Sequence, residues 1–183
     1  STASAAPVNL AGHTLTKLGS GILDFSGCNV TNSGSLVVAD GAVRFRNSVI
    51  SGPGSISVGA NQILFQNSSP TGYVAKPISV NGGSIGATGE PAWVTGPTTL
   101  NGPLTVDHDT GLRLSGALTG PGGLTKLGPG ALALDAVNGY LGATRILAGQ
   151  VVLGATADLA GSSLIQISAA AILDVSAKPV GHA

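Results

Sequence analysis

The stretch ILDFSGCNVTNSGSLVVADGAVRFRNSVISGPGSISVGANQILFQN, residues 22–67, repeats its own pattern every twenty positions. The only three phenylalanines of the chain, Phe25, Phe45 and Phe65, are separated by this interval. A fixed internal period of this length is typical of proteins built from stacked repeats. An aliphatic residue precedes each phenylalanine by two positions, and a small or amide residue follows it by two: Leu23, Val43, Ile63; Gly27, Asn47, Asn67.

Within each repeat, the residues alternate as in a strand with one buried face. Val43 and Phe45 are predicted to point inward, whereas Arg44 and Arg46 point outward. Twenty residues leave room for about three short strands joined by tight turns, which accounts for the recurring Gly, Asn and Ser. Successive coils then stack about 4.8 Å apart as parallel strands. The period therefore predicts a β-solenoid in which the phenylalanines form one column, with an asparagine ladder beside it.

Further columns extend the pattern along the chain, and no window carries a helical period. We predict an all-β, single-domain parallel β-helix over residues 1–183, with irregular loops near 68–77 and 88–97, where the step widens and prolines occur. The predicted columns upstream are Leu18, Val38, Val58 and Thr16, Leu36, Ile56; those of the C-terminal half are Leu104, Leu124; Leu112, Leu132, Val151, Leu173; and Leu114, Leu134, Leu153, Val175, with Arg113, Ala133, Val152 and Asp174 facing outward.

The composition excludes several classes of function. Charged residues make up 9% of the chain and the net charge is zero, without a basic cluster, so we expect no nucleic-acid partner and no polybasic membrane contact. No apolar run is long enough for a membrane span. Aromatic residues are only 3% of the chain, whereas 29 residues are Gly, as expected for short strands and turns. Cys28 is the single cysteine, so no internal disulfide is possible.

Two segments are nearly identical: LTKLGSGIL, residues 15–23, and LTKLGPGAL, residues 124–132. The second continues in the stretch GGLTKLGPGALALDAVNGYLGATRILAGQVVLG, residues 122–154, with Ala136, Ile146 and Val151 replacing the usual Gly, Val and Leu. This stretch resembles the autotransporter-associated β-strand repeat at Gly122, Gly123, Leu124, Thr125, Lys126, Gly128, Gly130, Leu132, Leu134, Asn138, Tyr140, Gly142, Thr144, Gly149 and Leu153.

The resemblance implies a right-handed parallel β-helix of the passenger type, exported and displayed outside a bacterial cell. It implies a structural role in a surface stalk and says almost nothing about activity. Whether the chain is a fragment of a larger surface protein or a free-standing secreted solenoid stays open.

One cluster has the residue types of a catalytic site. Asp107, His108 and Asp109, with Arg113 close behind, offer paired carboxylates and a base for polysaccharide cleavage. The favoured interpretation is a polar turn between two strands. We therefore assign no catalytic, metal or cofactor-binding residue and expect no cofactor.

Other residues of chemical interest have a structural interpretation as well. Trp93, Tyr73 and Tyr140 are candidates for stacking on sugar rings, although loop anchors on the wall are favoured. Lys17 and Lys126 recur in the repeat and are expected on the outer face. The last group is expected to be chemically silent: Cys28 in a turn, and His13 and His182 exposed near the termini.

Two functions follow from these predictions. The first is a non-enzymatic extracellular stalk, adhesin segment or self-assembling fibre subunit at the bacterial surface, which self-associates by stacking its unpaired end strands. The second is a carbohydrate-binding or polysaccharide-degrading passenger with a site on the solenoid wall. Candidate partners are a second copy, a host or matrix surface, or a polysaccharide. An ice-binding role ranks last because the threonines do not form a single column.

Overall fold

The computed structural model describes residues 6–31, 33–67 and 72–179, and these contain strands and turns but no helix. The first twelve strands are β1 (Ala6–Pro7), β2 (Thr14–Lys17), β3 (Ile22–Ser26), β4 (Cys28–Val30), β5 (Ser35–Val38), β6 (Ala42–Arg46), β7 (Val49–Ile50), β8 (Ile56–Val58), β9 (Gln62–Asn67), β10 (Tyr73–Val74), β11 (Ile78–Val80) and β12 (Ser84–Gly89). The others are β13 (Ala92–Val94), β14 (Thr98–Leu100), β15 (Leu104–His108), β16 (Gly111–Leu114), β17 (Leu118–Gly120), β18 (Leu124–Leu127), β19 (Ala131–Leu134), β20 (Gly139–Tyr140), β21 (Thr144–Ile146), β22 (Gly149–Leu153), β23 (Ile165–Ile167) and β24 (Ala171–Asp174).

The strands form three parallel sheets that wind together as a β-solenoid of about eight coils. Sheet A has the order β1-β4-β7-β10-β13-β16-β19-β22-β24, sheet B the order β2-β5-β8-β11-β14-β17-β20, and sheet C the order β3-β6-β9-β12-β15-β18-β21-β23. Successive strands belong to sheets A, B and C in turn as far as β22, after which β23 in sheet C follows without a sheet B strand. The inward side chains of all three sheets form one continuous core. The predicted all-β parallel solenoid is confirmed. The assignment of all 183 residues to one domain stays a prediction.

The phenylalanines form the column that the twenty-residue period predicts. Phe25 pairs in register with Phe45, and Phe45 with Phe65. Their ring centroids lie 5.5 Å and 5.9 Å apart, the first pair stacked and the second tilted. The column continues through Ala87 to His108. In the C-terminal half, the leucine columns pair as predicted from Leu112 and Leu114 through β22, and Leu173 follows Val151.

The register at the first two coils differs from the prediction by one residue. Leu15 pairs with Leu36 and Lys17 with Val38, so Thr16 and Leu18 do not belong to these columns. The reason is that the corner between β2 and β3 contains one more residue than the corner between β5 and β6. Leu18 lies in that longer corner and is 71% exposed.

The two segments predicted to be irregular behave differently. Val49 pairs with Tyr73, a longer step than twenty, so the chain widens near 68–77, although residues 68–71 lie outside the described residues. The loop predicted near 88–97 is wrong, because β12 extends to Gly89 and β13 follows after two residues. The prolines fit because Pro91 and Pro97 lie in the corners before β13 and β14, outside the ladders. No helix in the described ranges is long and apolar enough to cross a membrane.

We expect Phe45→Ala to lower the free energy of unfolding by about 3–5 kcal/mol, because it opens a cavity between two neighbouring rings of the column. Thr99→Ala is the matched control, since Thr99 is exposed on the outer face of β14 and should change stability by about 0.5 kcal/mol or less. Urea unfolding followed by circular dichroism measures both. Equal losses for the two variants would contradict the buried phenylalanine column.

Candidate functional site

The Asp107–His108–Asp109 cluster does not converge into a catalytic site. Asp107 and His108 lie in β15, where Asp107 is exposed on the outer face and His108 is buried on the inner face. Asp109 follows the strand and is exposed, so the predicted polar turn is correct only from Asp109 onward. Arg113 pairs with Asp135 instead of with either acid of the cluster. The described residues also contain no group of three His, Cys, Asp or Glu side chains placed to hold a metal ion.

His108 is the last ring in the phenylalanine column and brings a polar group into the core. Its Nδ1 lies 2.9 Å from the carbonyl oxygen of Thr110, whereas its Nε2 and the buried Thr110 Oγ1 have no hydrogen-bond partner within the described residues. Burial lowers the pKa of His108, and the charge of nearby Lys126 lowers it further, against the opposing effect of Asp107 and Asp109. The neutral imidazole is therefore the form that fits the folded core.

The prediction that Lys17 and Lys126 lie on the outer face is wrong. Lys126 occupies an inward column between Val106 and Ile146 and has 0% exposure. Its Nζ donates to the carbonyl oxygens of Leu127 and Gly128, the latter at 2.8 Å. Burial lowers its pKa. The ammonium group therefore bonds the backbone of the corner from inside the solenoid.

Lys17 repeats this arrangement in the first coil, at the end of β2 in sheet B. It shares an inward column with Val38, and its Nζ donates to the carbonyl oxygens of Leu18 (2.8 Å) and Gly19. A longer bond of 3.3 Å reaches Asp40 in the next coil. Because Lys17 belongs to the first coil, its side chain remains half-exposed.

A third lysine of this kind, Lys76, was not predicted from the sequence. Its Nζ donates to the carbonyl oxygens of Gly34 (3.0 Å), Gly52 (3.4 Å) and Pro53 (2.5 Å), which belong to earlier coils at the corner between sheets A and B. Burial lowers the pKa of Lys76. Its only sequence signal is a lysine directly before a corner proline. We call Lys17, Lys76 and Lys126 the corner lysines.

The corners pack too closely for side chains on the glycines of the next coil. Gly41 has φ 72°, and a Cβ there would lie 2.3 Å from the Gly21 carbonyl oxygen and 2.9 Å from Lys17 Nζ. Gly149 has φ 66°, and its Cβ would lie 2.5 Å from the Gly128 carbonyl oxygen. The two copies of the repeat therefore share one corner design, a lysine bonded to the turn and a glycine stacked on that turn.

The aromatic candidates separate into two groups, and all three lie in strands instead of loops. Tyr73 and Trp93 are register partners on the outer face of sheet A, where Trp93 is 43% exposed. Arg113 follows Trp93 in the same column. Tyr140, in contrast, is buried, and its Oη lies 2.6 Å from Thr144 Oγ1 in the core. Tyr140 therefore cannot stack on a ligand at the surface.

The remaining sequence candidates show no reactive environment. Cys28 begins β4 instead of lying in a turn, and its half-buried thiol donates to the carbonyl oxygen of Ser26 at 3.3 Å. His13 is exposed, as predicted, and His182 lies outside the described residues.

Together, the fold and these sites define a class of protein, a parallel β-solenoid with a continuous core and no convergent catalytic group in its described residues. The family model of the passenger-associated-transport-repeat matches the chain at residues 15–45 and 124–153, which confirms the resemblance seen in the sequence. The fold and the repeat fit a structural domain of the autotransporter passenger type. No curated protein and no solved structure matches the chain.

The two matched stretches begin in different sheets of the solenoid. The first covers β2 to β6 and begins in sheet B, whereas the second covers β18 to β22 and begins in sheet C. Each therefore spans five strands, but the second is shifted by one sheet. It follows that the repeat specifies a strand, a lysine-bonded corner and a further strand, and that more than one sheet can accommodate this unit.

We expect Lys126→Met to lower the free energy of unfolding by about 1–3 kcal/mol, because two corner carbonyl oxygens lose a buried donor. Lys17→Met removes the equivalent bonds in the first coil, but water can replace them there, so its loss should be smaller. Urea unfolding at constant m-value gives both quantities. A larger loss for Lys17→Met than for Lys126→Met would contradict the role of the buried ammonium.

We expect acid to destabilise the fold partly through His108. Its folded pKa lies below the ordinary 6.5 of the unfolded chain, so the unfolded state binds more protons below that pH and stability falls as pH drops. His108→Phe should reduce the stability lost as the pH falls through 6.5, where the unfolded histidine titrates. Thermal unfolding on both sides of this pH measures the slope. Thr99→Ala, at an exposed site without a titratable group, should keep the wild-type slope. An unchanged slope in His108→Phe would exclude the mechanism.

Proposed function

We propose that the chain is a non-enzymatic structural segment of a bacterial surface or secreted protein, a stalk that extends through its own coils. The observation that carries the proposal is the single core shared by three parallel sheets along the described chain. About eight coils at about 4.8 Å give a rod of roughly 40 Å. The corner lysines support this role, because their ammonium groups bond the backbone of the corners.

The autotransporter-passenger repeat implies that the protein is located at the bacterial surface or outside the cell. The chain has few charged residues and no net charge, so neighbouring coils of such a rod do not repel one another. A stalk of this kind needs neither a cofactor nor an acid–base pair. It needs only that each coil offers the next a matching edge of hydrogen bonds and apolar side chains.

We further propose that the coils continue from one copy of the chain to the next. In the last described coil, Ile165 and Ile167 extend the inward column of Thr144 and Ile146, yet they are 44% and 47% exposed. Leu173 likewise extends the column of Val151 and is only partly buried. These side chains are therefore aligned to cover the core of another coil. At the other end, Leu15 and Leu23 are also partly buried and offer a complementary apolar surface.

We expect the purified chain to form end-to-end oligomers whose size increases with concentration. The double variant Ile165→Asp, Ile167→Asp should be monomeric, because stacking would bury its carboxylates at the contact between two copies. Sedimentation velocity and negative-stain electron microscopy measure the two states. Leu141→Asp is the control, because Leu141 is even more exposed than the two isoleucines but lies at a corner of the wall. A wild-type chain that stays monomeric at the highest concentration would exclude stacking between copies.

A further inference from the structure

We propose that the outer face of sheet A around Trp93 binds a neutral saccharide chain. This binding site lies on the wall and is independent of the end-to-end contact proposed above. It is formed by three consecutive outward positions, Tyr73, Trp93 and Arg113, and by a shallow groove beside Trp93.

The aromatic residues lie in one line along the solenoid axis. Tyr73 pairs in register with Trp93, and Trp93 with Arg113, so the three side chains stand on neighbouring coils about 4.8 Å apart. Trp93 is the only tryptophan of the chain, and it is exposed although it belongs to a regular strand in the middle of the sheet. An exposed indole in such a position offers a flat apolar face to a ligand.

Small residues keep the space next to Trp93 open. A groove of about 230 Å³ is lined by Trp93 and Arg113 on its sides, and Gly111, Ala131 and Ala133 are among its other lining residues. Ala131 and Ala133 follow Gly111 and Arg113 in the next coil. Because these side chains are so short, a sugar ring can approach the strands and still contact the indole.

Polar groups at the groove are held in a fixed geometry. Arg113 makes a two-point ion pair with Asp135, with Nε to Oδ2 at 2.5 Å and Nη2 to Oδ1 at 3.1 Å. Ser115 Oγ donates to the same carboxylate at 2.8 Å. A guanidinium has five N–H donors, so in the described part of the chain this pair leaves others available for hydroxyl oxygens of a ligand.

This chemistry matches a neutral saccharide better than other ligands. A pyranose ring has a face of C–H groups that packs on an indole and a rim of hydroxyls that bonds to a fixed polar pair. The charge of Arg113 is neutralised by Asp135, and the chain has no net charge, so an anionic polymer gains little attraction. The groove is also lined by only seven residues, whereas a typical protein interface has about 20–30 residues on each side.

Because Trp93 is the only tryptophan of the chain, its fluorescence reports binding at this site directly. We expect titration with neutral oligosaccharides (cellohexaose, chitohexaose and mannohexaose) to change the emission of Trp93 in a saturable way for at least one of them. Trp93→Ala should weaken retention of that saccharide in affinity electrophoresis by about tenfold or more, since the stacking surface is lost. Arg113→Gln should weaken it as well, because the guanidinium N–H groups that donate to the ligand's hydroxyl oxygens are lost.

Leu147→Ala is the matched control, because Leu147 is exposed at a corner between other strands and should leave binding unchanged. Circular dichroism of each variant verifies that the solenoid is folded. The proposal is overturned if no neutral oligosaccharide changes the emission of Trp93, if Trp93→Ala retains the saccharide as the wild type does, or if oligogalacturonate, the anionic probe, binds in preference to all neutral ones.

Discussion

Each strand inside the three sheets hydrogen-bonds to the strand one coil before it and to the strand one coil after it, and all these pairings are parallel. A position in one coil is therefore placed directly over its equivalent in the previous coil. This in-register constraint determines which side chains meet in the core, because inward residues contact inward residues at one coil's spacing. The Phe25–Phe45–Phe65 column is the most direct result.

The same constraint creates a difficulty at the corners, where the backbone turns between sheets and its carbonyl groups point toward neighbouring coils. A buried carbonyl oxygen needs a donor, and in three corners a lysine ammonium supplies it. A charged group inside an apolar core is costly unless several acceptors surround it, which is why each corner lysine has at least two. The glycines of the adjacent corner then complete the packing, because any side chain would collide with those carbonyls.

Stacking in register also separates structure from recognition. The residues of the inward columns pack against one another in the core and cannot contact a ligand. The outward columns place residues that are about twenty apart in sequence next to one another on the wall. Tyr73, Trp93 and Arg113 become neighbours only for this reason. The Asp107–His108–Asp109 cluster illustrates the opposite case: adjacent residues in a strand point to opposite faces, so closeness in sequence does not create a site.

The sequence alone determined the fold class, since a twenty-residue period with alternating inward residues is compatible with stacked parallel strands and with little else. It also indicated the passenger repeat through LTKLG and its glycines. It did not determine the environment of Lys126, because a lysine in a repeat is equally consistent with an outer face, and only the tertiary structure shows the corner carbonyls around Nζ. The register of Leu15 and Lys17 depends on the length of one corner, the one between β2 and β3. The shift of the second repeat from sheet B to sheet C depends on corner lengths summed over several coils. A short sequence pattern does not reveal this summed length, whereas the hydrogen-bonded pairing of strands between coils shows it directly.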